Sequence, residues 1–261
     1  MYEFLKSLQA QVITLQVRLY ACQARMQAPT DSEALHDLRI AVRRLRSLLR
    51  PLRRQPECAR LEEAAAALGQ ASGPLRDLEV LMAELQRQGH LELAGRYADD
   101  VRQGYRQLLD GLPLRRLLIL LDDWPEECRA SVAAGEWRMG EKRVLKYMAK
   151  QRDTLAEALR DPAHDRHRLR LLIKRVRYCA EIYPQLVGLP KATAKALRKA
   201  QGALGDWHDQ LQWLTRVSAE PTLAVCAEQW QTRMLQAESR ADQALLELLE
   251  HYPQAADPAT E

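Results

Sequence analysis

A chain of 261 residues that is 47% hydrophobic, with a mean hydropathy of −0.41, is long enough to bury one large core or two ordinary ones. Purely apolar runs such as Leu117 to Leu121 fall far short of the roughly 20 residues of a bilayer span, which excludes a membrane protein. With 39 basic against 35 acidic residues and a formal charge of +4, the chain is not a general coat for nucleic acid, so any basic site must come from local clustering.

Taken in chain order, apolar residues recur at helical spacing from the start, at Leu5, Leu8, Val12, Leu15 and Leu19. Glu3, Lys6 and spaced glutamines replace the uninterrupted apolar stretch of a signal peptide, and the expected location is the cytoplasm. Turn chemistry predicts breaks at Pro29-Thr30-Asp31, Pro51 to Pro56, Gly73-Pro74, Gly111-Leu112-Pro113, Trp124-Pro125, Asp161-Pro162, Gly188-Leu189-Pro190 and Glu220-Pro221. A last helical stripe runs through Leu235, Ala237, Ala241, Leu245 and Leu248. No segment alternates as a strand does, and the expectation is an all-helical protein with short connections. The five cysteines, Cys22, Cys58, Cys128, Cys179 and Cys226, are odd in number and far apart. They are read as buried small residues in a reducing compartment.

The stretch HDLRIAVRRLRSLLRPLRR carries seven arginines and a histidine against one aspartate. Its first part lines up without a gap on a second one: His36, Arg39, Arg43, Arg44 and Arg46 correspond to His167, Arg170, Lys174, Arg175 and Arg177. Further on, Gly73-Pro74-Leu75-Arg76-Asp77 matches Gly205-Asp206-Trp207-His208-Asp209, with one residue of change in offset. Two matches in the same order point to duplicated helical modules, with the boundary near residue 130.

At about 100° per residue, His36, Arg39, Arg43, Arg46 and Arg50 fall within an arc of roughly 80°, beside an apolar stripe of Leu35, Leu38, Val42, Leu45 and Leu49. His167, Arg170, Lys174 and Arg177 repeat the layout beside Leu169, Ile173, Val176 and Ala180, with Glu181 at the position of Arg50. Arg44, Arg53 and Arg175 point away, as ordinary surface charge. A solvated face is the plainest reading of any one such run, but like charges at i,i+3 and i,i+4 repel, and this pattern occurs twice. Opposed by a pseudo-twofold, the two ridges would wall a charged groove, and a ridge from His36 to Arg50 extends about 21 Å, a length suited to a linear polyanion.

Lys142, Lys146 and Lys150, and further on Lys191, Lys195, Arg198 and Lys199, are additional candidates, each equally consistent with plain solvation. Asp77 and Asp209 follow glycine turns, where a carboxylate caps a helix or pairs with an arginine. Arg76 and His208 adjoin them.

Three doublets, His36-Asp37, His164-Asp165 and His208-Asp209, raise the alternative of a metal-dependent phosphohydrolase. The repeat weighs against it, because His36-Asp37 becomes His167-Arg168. No P-loop, GxSxG, HExxH or GxGxxG stretch occurs, and neither a metal nor a cofactor is expected. An RNA-binding module is the other alternative, but single-strand binders interleave aromatics with basic residues, and this stripe carries none. The tryptophans Trp124, Trp137, Trp207, Trp213 and Trp230 read as core or helix-junction residues.

HDLRIAVRRLRSLL, GPLRDLEVL, HRLRLLIKRVRYCAE and LGDWHDQLQWL, in this order, resemble the CHAD family of helical domains named for their histidines. The resemblance covers nearly the whole chain. It implies an all-α fold of two tandem four-helix-bundle repeats, residues 1–130 and 131–261, related by internal pseudo-twofold symmetry. It also implies non-catalytic binding of inorganic polyphosphate in a basic central channel, and association with polyphosphate granules. The family's histidines fall on His36 and His167, and its channel residues on Arg39, Arg43, Arg46, Arg170, Lys174 and Arg177. Some members carry a triphosphatase domain ahead of this one, for which the position of Met1 is expected to leave no room. Ser72 departs from the family, which usually has leucine there. Glu181 agrees with the family's second copy and makes the two ridges unequal.

Overall fold

In a computed structural model of the chain, described for residues 2–28, 31–163 and 165–252, the described residues form helices and connecting turns with no strand. The chain divides into two compact units, Met1–Val144 and Leu145–Glu261.

The first unit contains α1 (Tyr2–Gln27), α2 (Ala34–Leu49), α3 (Pro56–Ala71), α4 (Gly73–Arg87), α5 (Leu91–Arg96), α6 (Ala98–Asp110), α7 (Leu112–Ala133) and the start of α8 (Glu141–Arg160). A single 3-10 turn, Arg50–Leu52, carries the chain from α2 towards α3. Helices α1, α2, α3 and α7 pack each against the next, closing a four-helix ring, and α4, α5 and α6 form an arm against it. The predicted stripe of α1 is the buried one. In α2 the stripe Leu35, Leu38, Val42, Leu45 and Leu49 is joined by Ala34, Ala41 and Leu48 in the core. Each large aliphatic side chain so buried contributes roughly 1.5–3 kcal/mol, which fixes the rotation of α2 and so the direction of its arginines.

The second unit contains the rest of α8, α9 (Arg166–Ile182), α10 (Lys191–Val217), a 3-10 turn (Pro221–Leu223) and α11 (Ala224–His251). α10 and α11 form an antiparallel hairpin held at three levels. Trp213 lies 5.5 Å from Trp230 between ring centroids, Lys199 pairs with Glu247, and the Thr193 hydroxyl donates to the His251 carbonyl at 2.8 Å. The α11 stripe is Cys226, Trp230, Ala237, Ala241, Ala244, Leu245 and Leu248. Leu235, placed on it from the sequence, is exposed.

Most predicted breaks fall between helices; of Pro29-Thr30-Asp31, the first two lie outside the described residues. Two readings are corrected. Trp124-Pro125 does not end a helix, because Pro125 lies inside α7. Leu121, Trp124 and Cys128 are buried around it, and beyond it α7 is tied to α3 and its approach by Arg60–Glu127 at 2.9 Å and Gln55–Ser131 at 3.1 Å. This packing outweighs the roughly 3 kcal/mol of an interior proline. Nor does Gly205 precede a helix start, since Gly202, Gly205 and Asp209 all lie within the continuous α10. The first copy does break there. Ser72 separates α3 from α4, and Pro74 at the front of α4 has no N–H to carry a helix through, whereas the second copy has Asp206 at that place. Two turns not read from the sequence end α4 and α7 at Gly89 and Gly135, whose φ of 84° and 71° suit glycine.

Candidate functional site

In both units the ridge helix runs antiparallel to the helix that follows it, and that following helix holds the ridge side chains. The Arg39 Nη1 donates to the Gly69 carbonyl at 3.0 Å and to Ser72 Oγ at 2.9 Å. Gly69 lies in the last turn of α3, where unsatisfied carbonyls and the negative end of the helix dipole favour a cation. The Ser72 hydroxyl, fully buried, donates to the same carbonyl at 3.3 Å. The serine noted as a departure is thus part of the arginine's seat. Burial pulls the Arg39 pKa down; Arg76 and Arg43 push the same way, and Asp77 and Glu79 oppose them. Those groups therefore share one electrostatic neighbourhood. Arg76 pairs with Glu79 at 3.0 Å, and the Tyr105 hydroxyl donates to the other Glu79 oxygen. Asp77 lies one turn into α4, not at its cap, and its charge faces Arg39.

Further along, Arg46 of α2 and Arg50 at the start of the following 3-10 turn both donate through Nε to the same oxygen of Glu62 on α3, at 3.1 and 3.2 Å. The Glu62 side chain is only 6% exposed, the two arginines 29% and 27%. Nothing in the sequence pattern singles Glu62 out. Only its position on α3, one helix away from residues 12 and 16 places earlier in the chain, shows what it does. His36 and Arg43 are half-buried on the same face, while Arg44 and Arg53 are exposed, as the helical wheel required.

In the second unit Asp165 caps α9, accepting the His167 N–H at 2.8 Å. The doublet His164-Asp165 is thereby accounted for by its carboxylate; His164 lies outside the described residues. The rings of His167 and His208 are 5.6 Å apart, and Trp207 lies 6.4 Å from His208. Burial lowers the His208 pKa to about 4, helped by the charges of Arg170, His167 and Lys174. These four basic groups therefore form one cluster on α9 and α10. Arg177 donates through Nε to the Gln201 amide oxygen at 2.7 Å, pairs with Glu181, and lies with its guanidinium carbon 4.5 Å from the Tyr178 ring centre. It also lines, with Arg198, a cavity of about 310 Å³ walled by Ala180, Pro184, Val187 and Leu189.

The remaining candidates lie elsewhere. Lys142, Lys146 and Lys150 are exposed on α8. Lys199 pairs with Glu247 of α11, and Lys195, one turn away, acts on the same carboxylate; both therefore belong to the α11 side of α10 and not to the side facing α9. Lys191 is exposed. Of the first doublet, Asp37 is taken by Arg25 of α1 at 2.7 Å. Among the described residues no three His, Cys, Asp or Glu side chains gather as a metal site requires, and no helix is long and apolar enough to cross a membrane. All five cysteines are buried and free.

A family model described as the CHAD domain matches residues 11–218. Among solved structures, the CHAD domain from the plant Ricinus communis superimposes with a TM-score of 0.70 at 24% identity, covering 97% of this chain and 93% of that one. No curated protein matches.

Proposed function

The chain belongs to the CHAD domain family, and from that premise we propose that it binds inorganic polyphosphate without turning it over, through the basic ridges of α2 and α9, and associates with polyphosphate granules in the cytoplasm. The observation that carries this reading is the seating of the α2 arginines. Arg39, Arg46 and Arg50 are half-buried and held by α3 and the turn after it, in line along about 16 Å of the ridge. A solvated face has no need of such seats. Guanidinium forks chelate phosphate oxygens in pairs and lysines add point charge, so a row of forks fits a polymer of phosphates better than a single phosphate. Each ridge, that of α2 in the first unit and that of α9 in the second, is by itself a candidate for phosphate contact.

The deciding experiment is a competition titration with polyphosphate, RNA and ATP at equal phosphate concentration and low salt. Polyphosphate is expected to bind saturably, more tightly as the chain lengthens, and with an affinity that falls steeply with salt as counterions are released. Absence of saturable binding, or binding that survives Arg43→Glu combined with Lys174→Glu, refutes the reading. One observation favours RNA as a second reading: Trp207 beside His208 puts an aromatic face next to the basic cluster, where a base could stack. RNA outcompeting polyphosphate would establish it. Release of orthophosphate with divalent metal, lost in His36→Ala, would instead make the protein an enzyme.

A further inference from the structure

Arg39 is held by a terminal nitrogen, but three other ridge arginines are gripped at Nε, and this happens in both units. Arg46 and Arg50 give their Nε to Glu62, and Arg177 gives its Nε to Gln201. Arg177 is the repeat partner of Arg46, and the gripping residue comes each time from the next, antiparallel helix. The gripping residues themselves are not repeat partners, since Glu62 falls in register with Thr193, which is engaged with the His251 carbonyl. The two units thus reach the same grip from different positions.

A guanidinium has five N–H groups, four of them on the two terminal nitrogens. Held by Nε, it keeps its fork edge, and the guanidiniums of Arg46 and Arg50 make no other hydrogen bond or ion pair among the described residues. A single carboxylate oxygen shared by two arginines leaves the trio with a net positive charge and fixes both long side chains. Ordering such a side chain at the moment of binding costs about 0.5–1.5 kcal/mol.

We propose that Glu62, and Gln201 in the second unit, are positioning residues of the anion site: each holds ridge guanidiniums by Nε so that the remaining terminal nitrogens, the whole fork in Arg46 and Arg50 and Nη2 in Arg177, whose Nη1 is taken by Glu181, are set for phosphate oxygens before the ligand arrives. This rests on the polyphosphate reading. The proposal makes an acidic residue favour the binding of an anion, which charge alone forbids. Removing a negative charge beside the ligand strengthens binding on electrostatic grounds; removing a positioner weakens it.

The test measures the affinity of short inorganic polyphosphate for the full chain by isothermal titration calorimetry, with circular dichroism and thermal melting to verify the fold of each variant. The wild type must bind first; if it does not, the polyphosphate reading fails and not the positioning. Glu62→Ala is expected to weaken binding about tenfold, while Glu62→Gln, which keeps the acceptor oxygen, stays within about threefold of the wild type. Glu62→Ala binding as tightly as the wild type or more so, or Glu62→Gln as weak as Glu62→Ala, overturns the proposal. Should Glu62→Ala not fold, Gln201→Leu decides, since it removes no charged side chain and leaves the Arg177–Glu181 pair in place: a loss of about threefold is expected, and unchanged binding overturns the proposal.

Discussion

His208 lets the basic cluster of the second unit be tested without any ligand. In the folded chain its pKa stands at about 4 against the ordinary 6.5, through burial and the charges of Arg170, His167 and Lys174. The unfolded chain therefore binds more protons between those two values, and stability rises with pH across that window. The contribution is complete above pH 6.5 and is lost as the pH falls towards 4. At pH 5, linkage between the two values amounts to roughly 2 kcal/mol. The ring is only half-buried, so solvent screening reduces this to about 1 kcal/mol. Urea unfolding of the wild type and of His208→Gln at about pH 7.5 and pH 5 isolates the effect. The wild type should lose about 1 kcal/mol more than the variant on acidification. Equal losses would show that His208 is neither desolvated nor in the field of Arg170, His167 and Lys174, and the cluster would dissolve as a unit. A polyanion bound there opposes the same charges and raises the same pKa, so binding should take up protons below about pH 6.5. Calorimetry in buffers of different ionisation enthalpy measures that uptake.

Gly205→Ala should stabilise the protein by about 0.5–1 kcal/mol in urea, because the glycine lies inside α10 and a Cβ there meets nothing within 4 Å; destabilisation would mean that the helix breaks there. Trp230→Ala, which empties the fully buried contact with Trp213, should cost about 3–5 kcal/mol of unfolding free energy. Ser72→Ala removes an acceptor from the Arg39 guanidinium and should cost about 1–2 kcal/mol while also weakening polyphosphate binding; an effect on stability alone would separate the arginine's seat from the site.

Helical periodicity settled a good deal of this protein in advance. Leu35, Leu38, Val42, Leu45 and Leu49 had to share one face, and burying that face turns His36, Arg39, Arg43, Arg46 and Arg50 to its border while sending Arg44 and Arg53 to solvent. The all-helical class, the duplicated ridge and the free buried cysteines were legible for the same reason: each depends on residues within a few turns of one another or on composition. Where the reading failed, a distant residue decided. Pro125 stays within α7 because side chains on both sides of it are buried or tied to α3, and Gly205 stays within α10 because the second copy lacks the proline that stops α3 and α4 from joining.

The sequence by itself determined which residues make the ridges and which way they face, because rotation about a helix axis follows from the spacing of apolar residues. Tertiary structure alone decided what seats them. Glu62, Ser72, Gly69 and Gln201 lie on neighbouring helices, and the pairing of helices brings together residues whose separation in sequence carries no periodic signal. It also decided that Lys199 answers Glu247 on α11 and not the ridge, since a surface lysine's partner is chosen by whichever helix packs beside it.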